Sequence, residues 1–504
     1  MILRIARADS TQLGFDPDFT LTVPPKTTSS QHDITVRSPN KTRSVYHPVE
    51  TLSEVGAESL MGRGTRVWKV QKLDDTGKPL DPLYALKDVW VRDDRPAEHE
   101  VIAEIKESCP EYSHNFLVPD SGFALVRTGR SPQPDNIKRA IRCGKDLVLT
   151  EHALQPAGTK RRGFSKGKNL ATATSKNAQR PKQSSGSLHY TPTTPQVGDW
   201  DYSNINESPY RRCQTIFEEN GEPIHCLRGY QDVVTAIRGT SKGLQAIHRA
   251  GYVHRDVSSG NIILVPDGDG GGRRGVIIDL EYTKEVSNQS DSHGVKIGAY
   301  EFMAIEVTMS EYLHSPLQTI DLNEPIVPRA SSPPFRQNQL HDLESIWWIC
   351  MWTAFQIVGP GERPTSRHFA NYNRVFRSHE ARGCFWALGD IFASSTTHFS
   401  NPSIIRAMGY WRQQLRECYA KSYGAGGFVS ATPDFLHEAR AAQEMALDLI
   451  STATKDYPSD LKFLSELVPI PTTRDMQPDD AQCVDDYKGM EESSGDGPDI
   501  LTGT

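Results

Sequence analysis

Apolar and polar positions change period several times along the chain, and the changes mark elements. Residues 1–45 are rich in Ser, Thr and Pro without a clear period and read as an irregular N-terminal segment. From about Tyr46 to Phe123 the text is strand-like. MGRGTRVWKVQKL and PLYALKDVWV are apolar runs joined by the turn-rich DDTGKPLDP, which predicts a hairpin with an extended loop. In RPAEHEVIAEIKE, Val101, Ile102 and Ile105 recur at helical spacing among acids and a lysine, predicting an amphipathic helix. Periodicity then lapses over residues 127–199, where 14 Lys/Arg stand against 4 Asp/Glu among Ser, Thr, Gln, Asn and Pro, the composition of a disordered basic insert. Order resumes with TIFEENGEPIHC (215–226) and with DVVTAIRGTSKGLQAIHRAG, whose Val233, Val234, Ile237, Leu244 and Ile247 predict a long helix. After a glycine-rich turn at 268–275 come the apolar strand VIIDL and then HDLESIWWICMWTAFQIV, apolar nearly all round and so read as a fully buried helix. LHEARAAQEMALDLISTATK is again helical, and residues 471–504, with nine acids and two bases, read as a disordered acidic tail.

Composition narrows the function classes. The chain of 504 residues has room for two or three domains, or for one domain with insertions. A net charge of −7 gives no basic excess to attract nucleic acid or an anionic membrane, so neither is an expected partner. The weak exception is KRRGFSKGK at 160–168, a nuclear-import or polyanion patch on one reading and a solvated loop on the other. Eight cysteines include no CxxC pair, which indicates neither a zinc site nor a disulfide framework and fits a reducing compartment. The opening MILRIARADSTQLGF reaches Arg4 and Arg7 before an apolar run can build, unlike a secretory signal. The longest nearly polar-free stretch, residues 346–358, falls short of the ~20 residues that span a bilayer. A soluble, intracellular protein, cytoplasmic or nuclear, is the expectation.

The most specific chemistry lies in His254-Arg255-Asp256-Val257-Ser258-Ser259-Gly260-Asn261, an H-R-D-x-x-x-x-N string directly after a long predicted helix. Asp279 follows at the end of the VIID strand. Phosphoryl transfer needs a carboxylate to orient and accept the proton of an attacking hydroxyl, and oxygen ligands for Mg²⁺. Asp256, Asn261 and Asp279 supply those groups. Upstream, Lys87 sits inside the apolar strand YALKDVW, where a cation is costly unless it is paired; the alternative is an edge-strand lysine pointing to solvent. Glu98 is placed on the next helix to turn toward it, with Glu100 as runner-up on a different helical face. Gly62-Arg63-Gly64-Thr65-Arg66-Val67 offers a small-residue turn whose backbone N–H groups can approach phosphate, or which simply joins two strands.

In this order the parts resemble the protein-kinase signature, completed by the APE-like Ala304-Ile305-Glu306 and by Asp342 in HDLESIWW. More closely, GRGTRVW, ALKDVW, AGYVHRDVSSGNIIL, FMAIEV and HDLESIWW resemble the fungal-type protein kinase family, over about residues 46–125 and 210–430. The resemblance implies an α+β, bilobal protein-kinase-like fold with a small β-rich N-lobe carrying one helix and a larger helical C-lobe. Together with the composition of the segments it leaves unexplained, it gives the expected domains: an irregular segment 1–45, an N-lobe 46–225 interrupted by the insert at about 127–205, a C-lobe 226–470 and the tail 471–504. It also implies ATP and Mg²⁺ as cofactors and protein Ser/Thr hydroxyls as acceptors. By position, Gly62 and Gly64 would cover the ATP phosphates and Val67 would pack on the adenine. Lys87, held by Glu98, would contact the α- and β-phosphates. Asp256 would be the base, Asn261 and Asp279 the Mg²⁺ ligands, and Glu306 an anchor of the C-lobe. Residues around Ile216 to Glu219 would form the hinge, and Asp342 would steady the catalytic loop.

The sequence departs from the kinase pattern in four respects. The third glycine of GxGxxG is absent and the loop is about two residues short, Leu280-Glu281 replaces Phe-Gly after Asp279, Ser258 stands where a lysine is usual, and Ala299 where a threonine is usual. Serine at 258 resembles the fungal-type family's own HRDxS pattern. The alternatives are a pseudokinase scaffold, supported by Glu281, Ala299 and the short glycine loop, and a kinase-like phosphotransferase acting on a small molecule. Ser287, Ser290 and Ser292 lie where activation-loop phosphorylation would occur, or are simply a Ser-rich loop.

Overall fold

The computed structural model describes residues 18–22, 31–37, 43–54, 64–92, 95–119, 124–125, 210–268, 271–286, 300–314, 335–424, 427–428 and 433–467. Nearly all belong to one compact unit, Met1–Val91, Arg95–Pro132 and Arg211–Thr504; of a second unit, Arg92–Asp94 and Gln133–Tyr210, only Arg92 and Tyr210 are described. The basic insert, the acidic tail, Gly62, Ala299 and Ser287, Ser290 and Ser292 lie outside the described residues.

The N-terminal part forms a seven-stranded sheet from β1 (Phe19–Thr22), β2 (Gln31–Arg37), β3 (Arg43–Glu54), β4 (Arg66–Leu73), β5 (Pro79–Arg92), β6 (Ala124–Leu125) and β7 (Tyr210–Phe217), in the order β1-β2-β3-β4-β5-β7-β6. The expectation of an irregular segment 1–45 is therefore corrected, since this stretch supplies β1 and β2 and opens β3. Its strands are short and polar-flanked, and they are held by tertiary pairing: Ile34 and Val36 bury themselves with Tyr46, Val70, Leu86 and Ile216. The β4–β5 connection is also tighter than its turn-rich text suggests, because β5 already starts at Pro79. Asp74 closes the turn by accepting from the N–H of Thr76 and of Lys78, with Gly77 in the left-handed region at φ 81°. Helix α1 (Glu98–Ser108) follows, burying Val101, Ile102 and Ile105.

The C-terminal part is mainly helical. It begins with β8 (Glu222–Pro223), α2 (Tyr230–Arg249), β9 (Tyr252–Val253), β10 (Ile262–Asp267), β11 (Gly272–Ile277) and β12 (Lys284–Glu285). It continues through α3 (Ile305–Met309), α4 (Gln339–Gln356), α5 (Ser366–Phe376), α6 (His379–Ala387), α7 (Gly389–Ser395), α8 (Pro402–Ser422), α9 (Pro433–Ala453) and α10 (Leu464–Leu467). Helix α4 runs through the core, with Ile346, Trp347, Trp348, Ile349 and Met351 all at 0% exposure. Much of the glycine-rich 268–275 text is strand, because β11 starts at Gly272 and runs against α2. A Cβ on Gly275 would stand 2.0 Å from the Ala236 carbonyl oxygen, and one on Gly239 2.2 Å from that of Gly275, so side chains are excluded there.

Two small ladders position the chemistry. β10 pairs with β11 so that Ile262 faces Ile277, which brings Asn261 and Asp279 to the same end of the hairpin. β12 pairs with β9 through Lys284 and Val253, tying the segment after Asp279 to the strand that leads into His254. Among the described residues no helix is long and apolar enough to cross a membrane.

Candidate active site

Lys87 lies in the middle of β5, directly opposite Val67 of β4, and is 8% exposed. Its Nζ donates to Glu98 Oε2 at 2.7 Å and to Asp279 Oδ1 at 2.8 Å. Burial opposes the charge, but the carboxylates of Asp279 and Glu98 outweigh it and hold the ammonium pKa above its ordinary value. Glu98 also accepts from the N–H of Asp279 at 2.6 Å and of Leu280 at 3.2 Å. One carboxylate thus ties the strand lysine to the end of β11. Glu100, the alternative partner, instead accepts from the N–H of Ala97.

The loop after β9 is held from beneath by α4. Asp342, 2% exposed, accepts from the N–H of His254 at 2.8 Å and of Arg255 at 3.0 Å, and His248 Nε2 lies 2.9 Å away. Burial resists ionisation of Asp342, but the hydrogen bond from His248 and the neighbouring imidazoles prevail and keep its pKa low. Arg255 takes the left-handed conformation at φ 73°, which turns the chain so that Asp256 follows at the head of the loop. The Asp256 N–H donates to His254 Nδ1 at 3.3 Å, so His254 carries its proton on Nε2 and donates it to the Ile278 carbonyl at 3.2 Å. Asn261 Nδ2 donates to the Asp256 carbonyl at 2.8 Å, and the Asn261 carbonyl accepts from the Ile278 N–H. Asp256 and Asn261 are therefore bonded to each other directly, and Asn261 is joined in turn to Ile278, the residue that precedes Asp279. Asp279 itself is left-handed at φ 67°, with its side chain 17% exposed.

Beside Asp256 a cavity is lined by Arg255, Met303, Ala304, Val307 and Gln337. The segment that forms its wall is anchored by Glu306, at 0% exposure, which accepts from the N–H of Leu313 and His314, from His341 Nε2 at 3.0 Å and from the Tyr423 hydroxyl. At the candidate hinge, Ile216 points into the sheet core. Glu218 donates its N–H to the Val118 carbonyl, and Glu219 accepts from the Val118 N–H and pairs with Arg274.

The sequence model of the fungal protein kinase family matches residues 1–354, from before β1 to within α4. The chain belongs to that family. No curated protein matches it.

For this fungal protein kinase family member, several residues that hold the site together escape sequence reasoning. Glu344 and Arg382, both at 0% exposure, flank the segment before Glu306. Glu344 accepts from the Ile305 N–H at 2.8 Å, and Arg382 donates to the carbonyls of Tyr300 and Met303, each at 2.6 Å. Nothing in the local text around Arg382 marks it, because its partners are backbone carbonyls of a distant segment. Asp88 had a readable signal, a second charge beside Lys87 in an apolar strand. Ser258 and Glu281, two of the departures from the kinase pattern, are buried at 8% and 5% exposure. Among the described residues no group of three or more His, Cys, Asp or Glu could by itself hold a metal.

Proposed function

We propose that the chain is an ATP- and Mg²⁺-dependent protein kinase of bilobal form that transfers the γ-phosphate of ATP to protein Ser or Thr hydroxyls. The observation that supports it most is the joining of Lys87, Glu98 and Asp279, from three separate segments, next to the coupled Asp256 and Asn261. Lys87 binds the α- and β-phosphates, and Glu98 orients it. Gly64, left-handed at φ 49°, covers the phosphates together with Gly62, which lies outside the described residues, and Val67, across from Lys87, packs on the adenine.

The carboxylate of Asp279 and the amide oxygen of Asn261 form an all-oxygen set. Such a set suits Mg²⁺, which is usually held by one or two protein carboxylates plus substrate phosphates, and it needs no protein-only cluster. When bound, the ion supplies charge neutralisation on the transferring phosphate. Asp256 accepts the proton of the acceptor hydroxyl as its oxygen bonds to phosphorus and the bond to the departing ADP oxygen breaks.

Transfer of labelled γ-phosphate from Mg·ATP to the protein itself and to a mixed pool of basic and acidic test proteins checks this reading. Asp256→Asn should lower transfer by roughly 10²-fold or more while Mg·ATP affinity is kept. Equal transfer by wild type and Asp256→Asn would refute it. A second reading, a scaffold that binds nucleotide without transfer, draws on buried Glu281 next to the Asp279 loop and on Ser258 in place of a cation. Wild type that binds Mg·ATP but labels nothing in any pool supports that reading instead.

A further inference from the structure

The strand that carries Lys87 carries a second buried charge one residue on, and nothing in the mechanism above uses it. Asp88 is 2% exposed and, because successive strand side chains alternate, lies on the face of β5 opposite to Lys87. Arg212 of β7 grips it with both arms of its guanidinium, Nε to Oδ1 at 2.6 Å and an Nη to Oδ2 at 2.8 Å. Arg66 of β4 adds a third bond, to Oδ2 at 2.6 Å. The ring of Phe19, delivered by β1, lies 5.0 Å from the Arg66 guanidinium carbon and 5.4 Å from that of Arg212. Replacing a buried ion pair by apolar residues is often neutral or stabilising, so stability alone does not explain this arrangement. What a forked guanidinium–carboxylate contact supplies is fixed direction.

The three strands it joins are the three that serve the nucleotide. Arg66 comes two residues after Gly64 and stands opposite Asp88 in the ladder, as Val67 stands opposite Lys87. β7 continues from Arg212 to Phe217 and into the hinge. We infer that Asp88 is a positioning residue for the phosphate end of the nucleotide site. Through Arg66 it sets the exit of the glycine turn against the strand of Lys87, and β1 covers the contact. This rests on the nucleotide-site reading above.

The adenine end has supports of its own. Glu218 donates to the Val118 carbonyl at 3.0 Å, Glu219 accepts from the Val118 N–H at 3.1 Å, and Asn220 donates to the Leu83 carbonyl at 2.9 Å. Releasing the Asp88 clasp therefore weakens contacts to phosphate and spares those to adenine. A structural role alone would not make that distinction.

Calorimetric titration of the full chain with Mg·ATP and with adenosine tests it, using wild type, Asp88→Asn, Arg66→Met and the double variant. Mg·ATP affinity should fall about tenfold in each single variant, a loss of about 1.4 kcal/mol of binding, while adenosine affinity stays within about twofold. The double variant should be no worse than Asp88→Asn. Asp88→Asn removes the charge facing buried Arg212 and lowers stability. Arg66→Met changes a side chain already 35% exposed and leaves the Asp88–Arg212 contact in place, so it stays informative. Folded variants with wild-type Mg·ATP affinity, or with equal losses for ATP and adenosine, would overturn the inference alone. Wild type that binds no Mg·ATP would overturn the nucleotide-site reading and this inference with it.

Discussion

Lys87 shows how far a single residue could be read. A cation inside ALKDVW demanded an anionic partner, and helical geometry pointed to Glu98 before Glu100; the structure pairs it with Glu98 and adds Asp279, 192 positions away. Local periodicity could rank the two glutamates because it fixes which way each faces. It carries no information about a residue that arrives from the far end of a β-hairpin. Lys87→Met leaves two carboxylates, 7% and 17% exposed, facing each other without their cation. It should cost about 3–5 kcal/mol, the usual penalty for removing one partner of a buried pair, together with the loss of Mg·ATP binding. Urea unfolding reads the first and nucleotide titration the second. A destabilisation below ~1 kcal/mol would mean that the carboxylates are better solvated than their burial implies.

At the scale of elements, the buried helix α4, the helix α2 and the β4–β5 hairpin were all legible, because each carries a long apolar pattern of fixed period. β1 and β2 were not, since strands of 4 and 7 residues are stabilised by what they pair with. The glycine-rich 268–275 text misled in the opposite sense. Glycine there signals close approach of a helix to a strand, which is visible only once α2 lies on β11. Gly275→Ala and Gly239→Ala force a methyl group against backbone at 2.0 and 2.2 Å, and each should destabilise by about 3 kcal/mol or more. Gly389→Ala, with open space around the added carbon, should change stability by less than about 0.5 kcal/mol. Denaturation midpoints of the three variants give the comparison, and equal shifts would contradict the packing of α2 on β11.

For the whole molecule, buried histidines link stability to pH. His248 has its pKa pushed down to about 4, mainly by burial, with Arg440 adding to it against the pull of Asp342. Its folded pKa lies below the unfolded value near 6.5, so the unfolded chain binds the extra proton first as pH falls. Stability should therefore decline between pH 6.5 and about 4, by on the order of 2–3 kcal/mol from this residue. Asp342, also depressed, adds its own loss at still lower pH. Thermal melts across that range should show the decline, and His248→Gln should flatten it between pH 6.5 and 4. An unchanged profile would mean that His248 is not held neutral.

The sequence by itself determined the types of the long elements and the membership of the fungal protein kinase family, and it singled out Asp256, Asn261 and Asp279 as candidates for phosphoryl transfer, because short fixed spacings and periodic burial are local properties. Only the tertiary structure decided that Asp279 reaches Lys87, that Arg382 and Glu344 anchor the segment before Glu306, and that Asp88 joins three strands around Arg66 and Arg212. Those contacts connect residues up to 192 positions apart, and a buried charge finds its partner through the folded path of the chain, which no local pattern encodes.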